Sequence, residues 1–135
     1  MTTPTPTTAA TEQVALDRIG QIAVRVHDVP RATRFYRDTL GMRFLFEFPN
    51  LAFFDCGGVR LMLSTAEKAE HDHPGSVLYY KVNDIATSYE TLKGAGVEFI
   101  DQPHLIAKMP DHDLWMVFFH DTEGNTLALM CEVRS

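Results

Sequence analysis

The sequence has few cysteines, few basic residues and no long apolar run. Its two cysteines, Cys56 and Cys131, lie in apolar segments, which excludes a disulfide framework and favours two buried, reduced thiols. The chain has 12 Lys and Arg residues and 18 Asp and Glu residues, so its formal net charge is −6. This negative charge argues against binding to nucleic acid or to anionic membranes, because both attract basic protein surfaces. No segment approaches the roughly 20 apolar residues of a membrane-spanning helix. We therefore expect a cytoplasmic protein that binds neither nucleic acid nor membrane.

The 135 residues are enough for one domain with its own core. The first residues, MTTPTPTTAATEQ, lack the basic start and the apolar centre of a secretory signal, and Thr, Pro and Ala dominate them. We predict a disordered tail over residues 1–16 and a single domain over residues 17–133. The sequence contains no nucleophile elbow, dinucleotide-binding glycine motif or phosphate-binding loop.

The domain divides into two halves that repeat one order of elements. In each half a short strand ends at an aspartate that can cap a helix, Asp28 in the first half and Asp84 in the second. A glycine follows each helix, and strand-like runs come next. We predict a first module over residues 17–65, a linker over 66–75 and a second module over 76–133. One such module cannot bury both faces of its sheet, so the two should pack together.

This duplicated plan resembles the vicinal oxygen chelate superfamily, which includes glyoxalase I, bleomycin-resistance proteins and extradiol dioxygenases. Two segments carry the resemblance: RVHDVPRATRFYRDTLGMRF is similar to the family's opening strand, helix and glycine, and FFHDTEGNTLALM is similar to its closing hairpin. The resemblance implies an α+β fold of two βαβββ modules. Their mixed sheets would curl into an incomplete barrel, with helices on the outer face and the ligand on the concave face. A fold of this kind hosts many activities.

Alternation along the strands predicts which side chains face the concave side. Ile22, Val24 and Val26 form an apolar face that can pack on a helix, which leaves Gln21 and Arg25 facing the cavity. Aromatic and sulfur-containing side chains add an adaptable lining, and the connection before the last hairpin often covers the cavity mouth in the proteins that the chain resembles. The predicted ligand-binding residues are Gln21, Arg25, Arg60, Met62, Tyr79, His104, Trp115, Met130 and Glu132.

Two roles stay open for the charged candidates. Arg25 and Arg60 can hold a ligand carboxylate or phosphate through two parallel hydrogen bonds, or they can form ion pairs with Glu132 or Asp55. Tyr79, with the neighbouring lysine, can act in acid–base chemistry only if that lysine is buried.

In metal enzymes of the superfamily, the resemblance implies one ligand from each of four strands, usually His or Gln, then Glu, His and Glu. The matching positions are Gln21, Met62, Val77 and Ala128, and only Gln21 fits. A divalent cation needs imidazole or anionic oxygen, and one amide, a thioether and two hydrocarbon side chains supply neither. We therefore expect no metal and no other cofactor.

Three functions stay open. The first is metal-free binding of a small, partly apolar organic molecule, which the protein sequesters, as bleomycin-resistance proteins do, or processes. The second is a metal-dependent lyase, isomerase or dioxygenase of the same superfamily with divergent ligands, and the third is an accessory subunit with a closed cavity. If the protein is an enzyme, we expect a glyoxalase-like lyase or isomerase. We also expect a homodimer, because the edge strands of the sheets need covering.

Overall fold

Two β-sheets, one from each half of the chain, form the framework of the protein. The structure, a computed structural model, describes residues 14–66 and 72–134. The first half contains β1 (Gln21–Arg25), α1 (Val29–Arg34), a wide π-helical turn (Phe35–Thr39), β2 (Arg43–Phe48), β3 (Leu51–Cys56) and β4 (Val59–Ser64). The second half contains β5 (Leu78–Lys81), α2 (Ile85–Gly94), β6 (Glu98–Phe99), β7 (His104–Lys108), β8 (Asp113–His120) and β9 (Thr126–Val133).

The two sheets share one strand order. The first is ordered β1-β4-β3-β2 and the second β5-β9-β8-β6, with β7 also paired to β8. In each sheet the first strand of the module runs parallel to its last strand, and the other pairs are antiparallel. The predicted α+β fold of two modules is confirmed, and both sheets are open. Within residues 14–66 and 72–134, no helix is long and apolar enough to cross a membrane.

Parts of the predicted tail and linker lie outside the described residues. Residues 14–16 of the tail are exposed and form no regular secondary structure, whereas residues 1–13 are not described. In the linker, residues 67–71 are likewise outside the described part of the chain.

The second strand of the second module, the counterpart of β2, is interrupted, which the sequence pattern did not predict. β6 and β7 both pair antiparallel with β8, at successive positions along it. Between them the Asp101 carboxylate accepts a hydrogen bond from the Phe118 amide at 2.9 Å, and Pro103 has no amide hydrogen to offer a neighbouring strand. The segment that contains His104 is therefore an edge strand instead of an irregular connection.

Asp28 and Asp84 cap the two helices, as predicted. Each carboxylate accepts a hydrogen bond from the amide three residues later, at 3.0 Å in α1 and 3.1 Å in α2. Past the other ends, Gly41 (φ +70°) and Gly96 (φ +94°) adopt the left-handed conformation that glycine tolerates best. The repeat seen in the sequence thus sets where both helices begin and end.

One cluster of buried apolar residues joins both halves. Tyr36 and Phe54 are fully buried in the first half, and Phe119 is fully buried in the second. β1 follows the predicted alternation, because Val24 and Val26 belong to this core whereas Gln21 is exposed. The cysteines are both free; Cys131 is buried and Cys56 half-buried.

A buried polar cluster connects the loop between β8 and β9 to α1, and we call it the inter-module polar cluster. At its centre the Glu123 side chain is fully buried. Its Oε1 accepts hydrogen bonds from the amides of His27 (2.8 Å) and Asp28 (2.9 Å), and Arg31 donates to both carboxylate oxygens at 2.8 and 3.0 Å. Burial would raise the pKa of Glu123, but the hydrogen bonds from Arg31, Thr122 and the two amides outweigh it and lower the pKa to about 2.

Asp121 and Asn125 complete the cluster. The Tyr36 hydroxyl donates to Asp121 Oδ2 at 2.7 Å, and Asn125 Nδ2 donates to the same carboxylate and to the Arg25 carbonyl, both at 2.8 Å. Burial, together with the Asp121 charge, raises the pKa of Tyr36, so its hydroxyl stays a donor. The cluster fixes the loop of the second module against the first module, beside the end of β1.

Candidate functional site

A cavity of about 850 Å³ lies between the two sheets, and we call it the seam cavity. Its volume and its mixture of apolar and polar walls are those of a small-molecule site. Its walls come from β1, β4, the starts of β5 and β9, the turn after β2 and the last residues of the linker. The lining residues are Ile22, Ala23, Val24, Arg25, Asn50, Leu51, Met62, Ser64, Thr65, Ala66, His73, Pro74, Gly75, Ser76, Leu78, Asn125, Thr126 and Leu127.

Arg25, a predicted ligand-binding residue, lines the seam cavity and is only 11% exposed. Its Nη1 donates to the Glu123 carbonyl at 2.9 Å, and its Nε lies 3.5 Å from Asp72 Oδ1. His27 Nε2 approaches the same Asp72 oxygen at 2.7 Å. The ion pair of Arg25 therefore uses an aspartate of the linker, where the sequence offered Glu132 or Asp55.

Met62 is the other predicted residue in the cavity wall. Gln21 Nε2 lies 3.9 Å from its Sδ, the distance of a weak hydrogen bond to sulfur. Gln21 itself is exposed and pairs in register with Arg60, whose guanidinium lies 5.6 Å from the centre of the Phe53 ring. Gln21 and Arg60 thus share the face of the first sheet that carries Met62, but they lie outside the lining of the seam cavity.

Four other predicted residues, Tyr79, His104, Met130 and Glu132, share one face of the second sheet and also lie outside that lining. Register places His104 opposite Met116, and Met116 opposite Met130. Tyr79 is 47% exposed, and its ring meets Phe118 edge-on, with the centroids 5.9 Å apart. The fourth residue is Glu132.

Glu132 is engaged by two cations. Lys81 Nζ lies 3.4 Å from its Oε1, and Arg134 Nη2 donates to the same oxygen at 3.0 Å. The Lys81 side chain is 64% exposed, so it lacks the burial that an acid–base role with Tyr79 would require.

Trp115 does not join the other candidates. It pairs in register with Cys131 and Leu105, and it packs against the buried core. Directly paired residues share one face of a sheet, so Trp115 faces away from Met130. Its ring fills the core side of β8.

Several polar residues of the seam cavity were not among the predicted site residues. Asn125 and Thr126 reach it because the inter-module polar cluster holds their loop against β1. His73 reaches it from the linker, and Ser76 reaches it from the segment just before β5. Ser64 reaches it from β4.

The four positions that would carry metal ligands do not fit a divalent cation. Ala128 is fully buried, Val77 immediately precedes β5, and the exposed Gln21 directs an amide nitrogen toward the Met62 thioether. Among residues 14–66 and 72–134, no three His, Cys, Asp or Glu side chains are grouped so that they could hold a metal ion. These four positions therefore supply neither the imidazole nor the anionic oxygen that a divalent transition-metal ion needs.

The family model of the Glyoxalase/Bleomycin resistance protein/Dioxygenase superfamily matches residues 18–129. The chain belongs to this superfamily. A glyoxylase-like domain-containing protein from Didymella fabae is 31% identical over 127 residues, which cover 83% of this chain and 91% of that protein. The resemblance inferred from the two sequence segments is thus confirmed.

Solved structures of the superfamily share the fold. The lactoylglutathione lyase from Agrobacterium tumefaciens superposes with a TM-score of 0.71 at 20% identity, over 87% of this chain and 95% of that chain. A superfamily member from Sphaerobacter thermophilus DSM 20745 gives a TM-score of 0.71 at 23% identity, over 87% and 98%. At these identities the likeness establishes the architecture, whereas activity depends on the side chains of the site.

Proposed function

We propose that this glyoxalase-superfamily protein binds a small, partly apolar organic molecule in the seam cavity without a metal ion, and that it sequesters or processes that molecule. The observation that carries the proposal is the cavity itself, built by both modules, beside metal-ligand positions that hold Gln21, Met62, Val77 and Ala128. The fold has kept a small-molecule cavity, and the side chains at those four positions do not suit metal catalysis.

The lining supports a ligand that is mostly apolar and carries a few polar groups. Leu51, Met62 and Leu78 offer hydrocarbon and thioether surface, and the hydroxyls of Ser64 and Thr126 can orient a polar group. Asp72, whose Oδ1 lies 3.5 Å from the Nε of Arg25, balances the charge of that guanidinium. This arrangement favours a ligand of low net charge over a multiply charged phosphate.

A metal-dependent lyase, isomerase or dioxygenase of the superfamily is supported less well. Such an enzyme would need at least three donors of the His, Cys, Asp or Glu type around one point. The part of the chain that the structure describes provides no such group.

Thermal unfolding in the presence of candidate ligands tests the proposal. We expect an amphipathic aromatic compound to raise the unfolding midpoint, because a ligand present at 100 times its Kd stabilises the folded state by about 2.7 kcal/mol. Zn²⁺, Ni²⁺, Co²⁺ and Mn²⁺ salts should leave the midpoint unchanged. The proposal would be contradicted if one of these ions raised the unfolding midpoint of the wild type but not that of Gln21→Ala, and if no organic compound raised the midpoint of the wild type.

A further inference from the structure

The carboxylate of Asp72 lies against two nitrogen donors of the first module, at the edge of the seam cavity. Its Oδ1 is 2.7 Å from His27 Nε2 and 3.5 Å from Arg25 Nε. A carboxylate oxygen accepts, so His27 Nε2 is the donor of the shorter contact. Arg25 Nη1 lies 3.1 Å from that imidazole nitrogen, so the guanidinium and the imidazole converge on the same side of the carboxylate.

The two donor residues are anchored by the inter-module polar cluster. Arg25 Nη1 donates to the Glu123 carbonyl at 2.9 Å, and the backbone amide of His27 donates to Glu123 Oε1 at 2.8 Å. These bonds do not involve Asp72, so they remain when its carboxylate turns away. The donors therefore form a preorganised position for an anionic oxygen.

Asp72 is attached more loosely than the donors that it meets. Its side chain is 37% exposed, whereas that of Arg25 is 11% exposed. Within residues 14–66 and 72–134, its carboxylate has polar contacts with Arg25 and His27 only. A partly exposed ion pair contributes little to stability, so the Asp72 carboxylate can turn into water and leave its position to another anion.

Both sides of this contact belong to the wall of the seam cavity. Arg25 lines the cavity from β1, and His73, the residue after Asp72, lines it from the linker. Met62 and Leu78 supply apolar surface in the same cavity. A molecule that packs on this surface can thus place an anionic oxygen at Arg25.

The charges around this position favour a monoanion. Asp72 provides one negative charge beside the Arg25 guanidinium, whereas the Glu123 carboxylate is engaged by Arg31. A ligand carboxylate that replaces Asp72 leaves this balance unchanged. An uncharged ligand does not displace Asp72, and a phosphate dianion adds a charge without a partner.

We propose that Arg25 and His27 form a carboxylate subsite of the seam cavity, and that the ligand is a monocarboxylic acid with an apolar body whose carboxylate displaces Asp72. This inference rests on the function proposed for the seam cavity and narrows its ligand class. Asp72 acts as an internal competitor, because the ligand binds only the fraction of molecules in which Asp72 has left the subsite.

Two probes of similar shape test the charge requirement: 3-phenylpropionate and its uncharged amide, 3-phenylpropanamide. Nuclear magnetic resonance titrations follow the amides of Ala23 and Ser64, which line the seam cavity. In Asp72→Ala we expect the Kd of 3-phenylpropionate to be about 3- to 10-fold lower than in the wild type, because the competing carboxylate is gone. The Kd of the amide should change less than about twofold, since it does not compete with Asp72.

Asp113→Ala is the matched control for Asp72→Ala. The Asp113 side chain is 39% exposed and pairs with Lys108 at 3.6 Å, but it lies outside the lining of the seam cavity. Its loss should leave both Kd values unchanged. Arg25→Gln, added to Asp72→Ala, should remove the gain for 3-phenylpropionate, because the cation of the subsite is lost.

The proposal would be overturned if the Kd of 3-phenylpropionate did not fall in Asp72→Ala, or if it fell equally for acid and amide. Titrations in which the acid shifts neither Ala23 nor Ser64 in Asp72→Ala would also overturn it. The function proposed for the seam cavity is tested separately, by the thermal unfolding panel. An uncharged compound that raises the midpoint and shifts Ala23 and Ser64 would support that function even if the carboxylate subsite failed.

Discussion

The Glu123→Ala exchange should lower the free energy of unfolding by about 3 kcal/mol at pH 7. The exchange removes a fully buried carboxylate that accepts from two amides of the first module and from Arg31. It leaves those amides and one guanidinium without their partner. Arg31 is 47% exposed, so water takes over part of its interaction and the loss stays at the low end for a broken buried ion pair. Urea unfolding measures the difference.

The same carboxylate predicts how stability depends on pH. Its pKa is about 2 in the folded protein and 4.5 ordinarily, so the unfolded chain takes up the proton first as the pH falls. The contribution of Glu123 is therefore complete above about pH 5, declines as the pH falls toward 2, and amounts to about 3 kcal/mol. Glu123→Gln should lack this part of the pH dependence.

Glu90→Ala is the matched control for both measurements, because Glu90 is exposed on α2 and its loss should change the free energy of unfolding by less than about 0.5 kcal/mol. If the wild type and Glu123→Gln lost stability in parallel between pH 5 and pH 2, the pKa of Glu123 would not be lowered in the folded protein.

Ser64→Trp should weaken the binding of any compound in the seam cavity about tenfold or more, which corresponds to 1.4 kcal/mol. Ser64 lines the cavity from β4, opposite Arg25 of β1. An indole at this position occupies the space of the ligand, whereas the serine side chain contributes little to the core. Isothermal titration with the compound that stabilises the wild type most gives the Kd of both proteins.

Ser88→Trp is the control for this exchange, because Ser88 lies on α2 and is not among the residues that line the seam cavity. It should leave the Kd of the seam ligand unchanged. Equal weakening in both variants would indicate a general loss of structure, and unchanged binding in Ser64→Trp would place the ligand elsewhere.

Local sequence signals were sufficient to predict the fold. Asp28 and Asp84 marked the helix starts, and alternation along β1 correctly assigned Val24 and Val26 to the core. It did not predict that Ile22 and Val24 also line the seam cavity. The interruption between β6 and β7 was missed, because it depends on Asp101 bonding to an amide 17 residues away. Contacts of that range leave no periodic pattern in the sequence.

The site was predicted less completely for the same reason. Alternation placed Arg25 and Met62 on the concave face, and both line the seam cavity. Alternation gave no information about how far the linker and the loop at residues 121–125 cover that face of the sheet. The contact of Asp72 with His27 spans 45 residues, and it brings polar groups of the linker to the cavity.

Trp115 shows a different limit. Its size and chemistry suit a ligand-binding wall, but the register of β8 with β9 pairs it with Cys131 on the core side. The sequence shows that position 115 is aromatic, but the pairing of β8 with β9 determines which face of the sheet its side chain occupies. The expected homodimer and cytoplasmic location stay predictions.

The metal content of the purified protein is the most direct test of the proposal that the seam cavity binds its ligand without a metal ion. Protein produced in medium supplemented with zinc, nickel, cobalt and manganese, and purified without chelators, should contain well below one metal ion per chain by elemental analysis. One ion per chain in the wild type, lost in Gln21→Ala while folding is retained, would contradict a metal-free site.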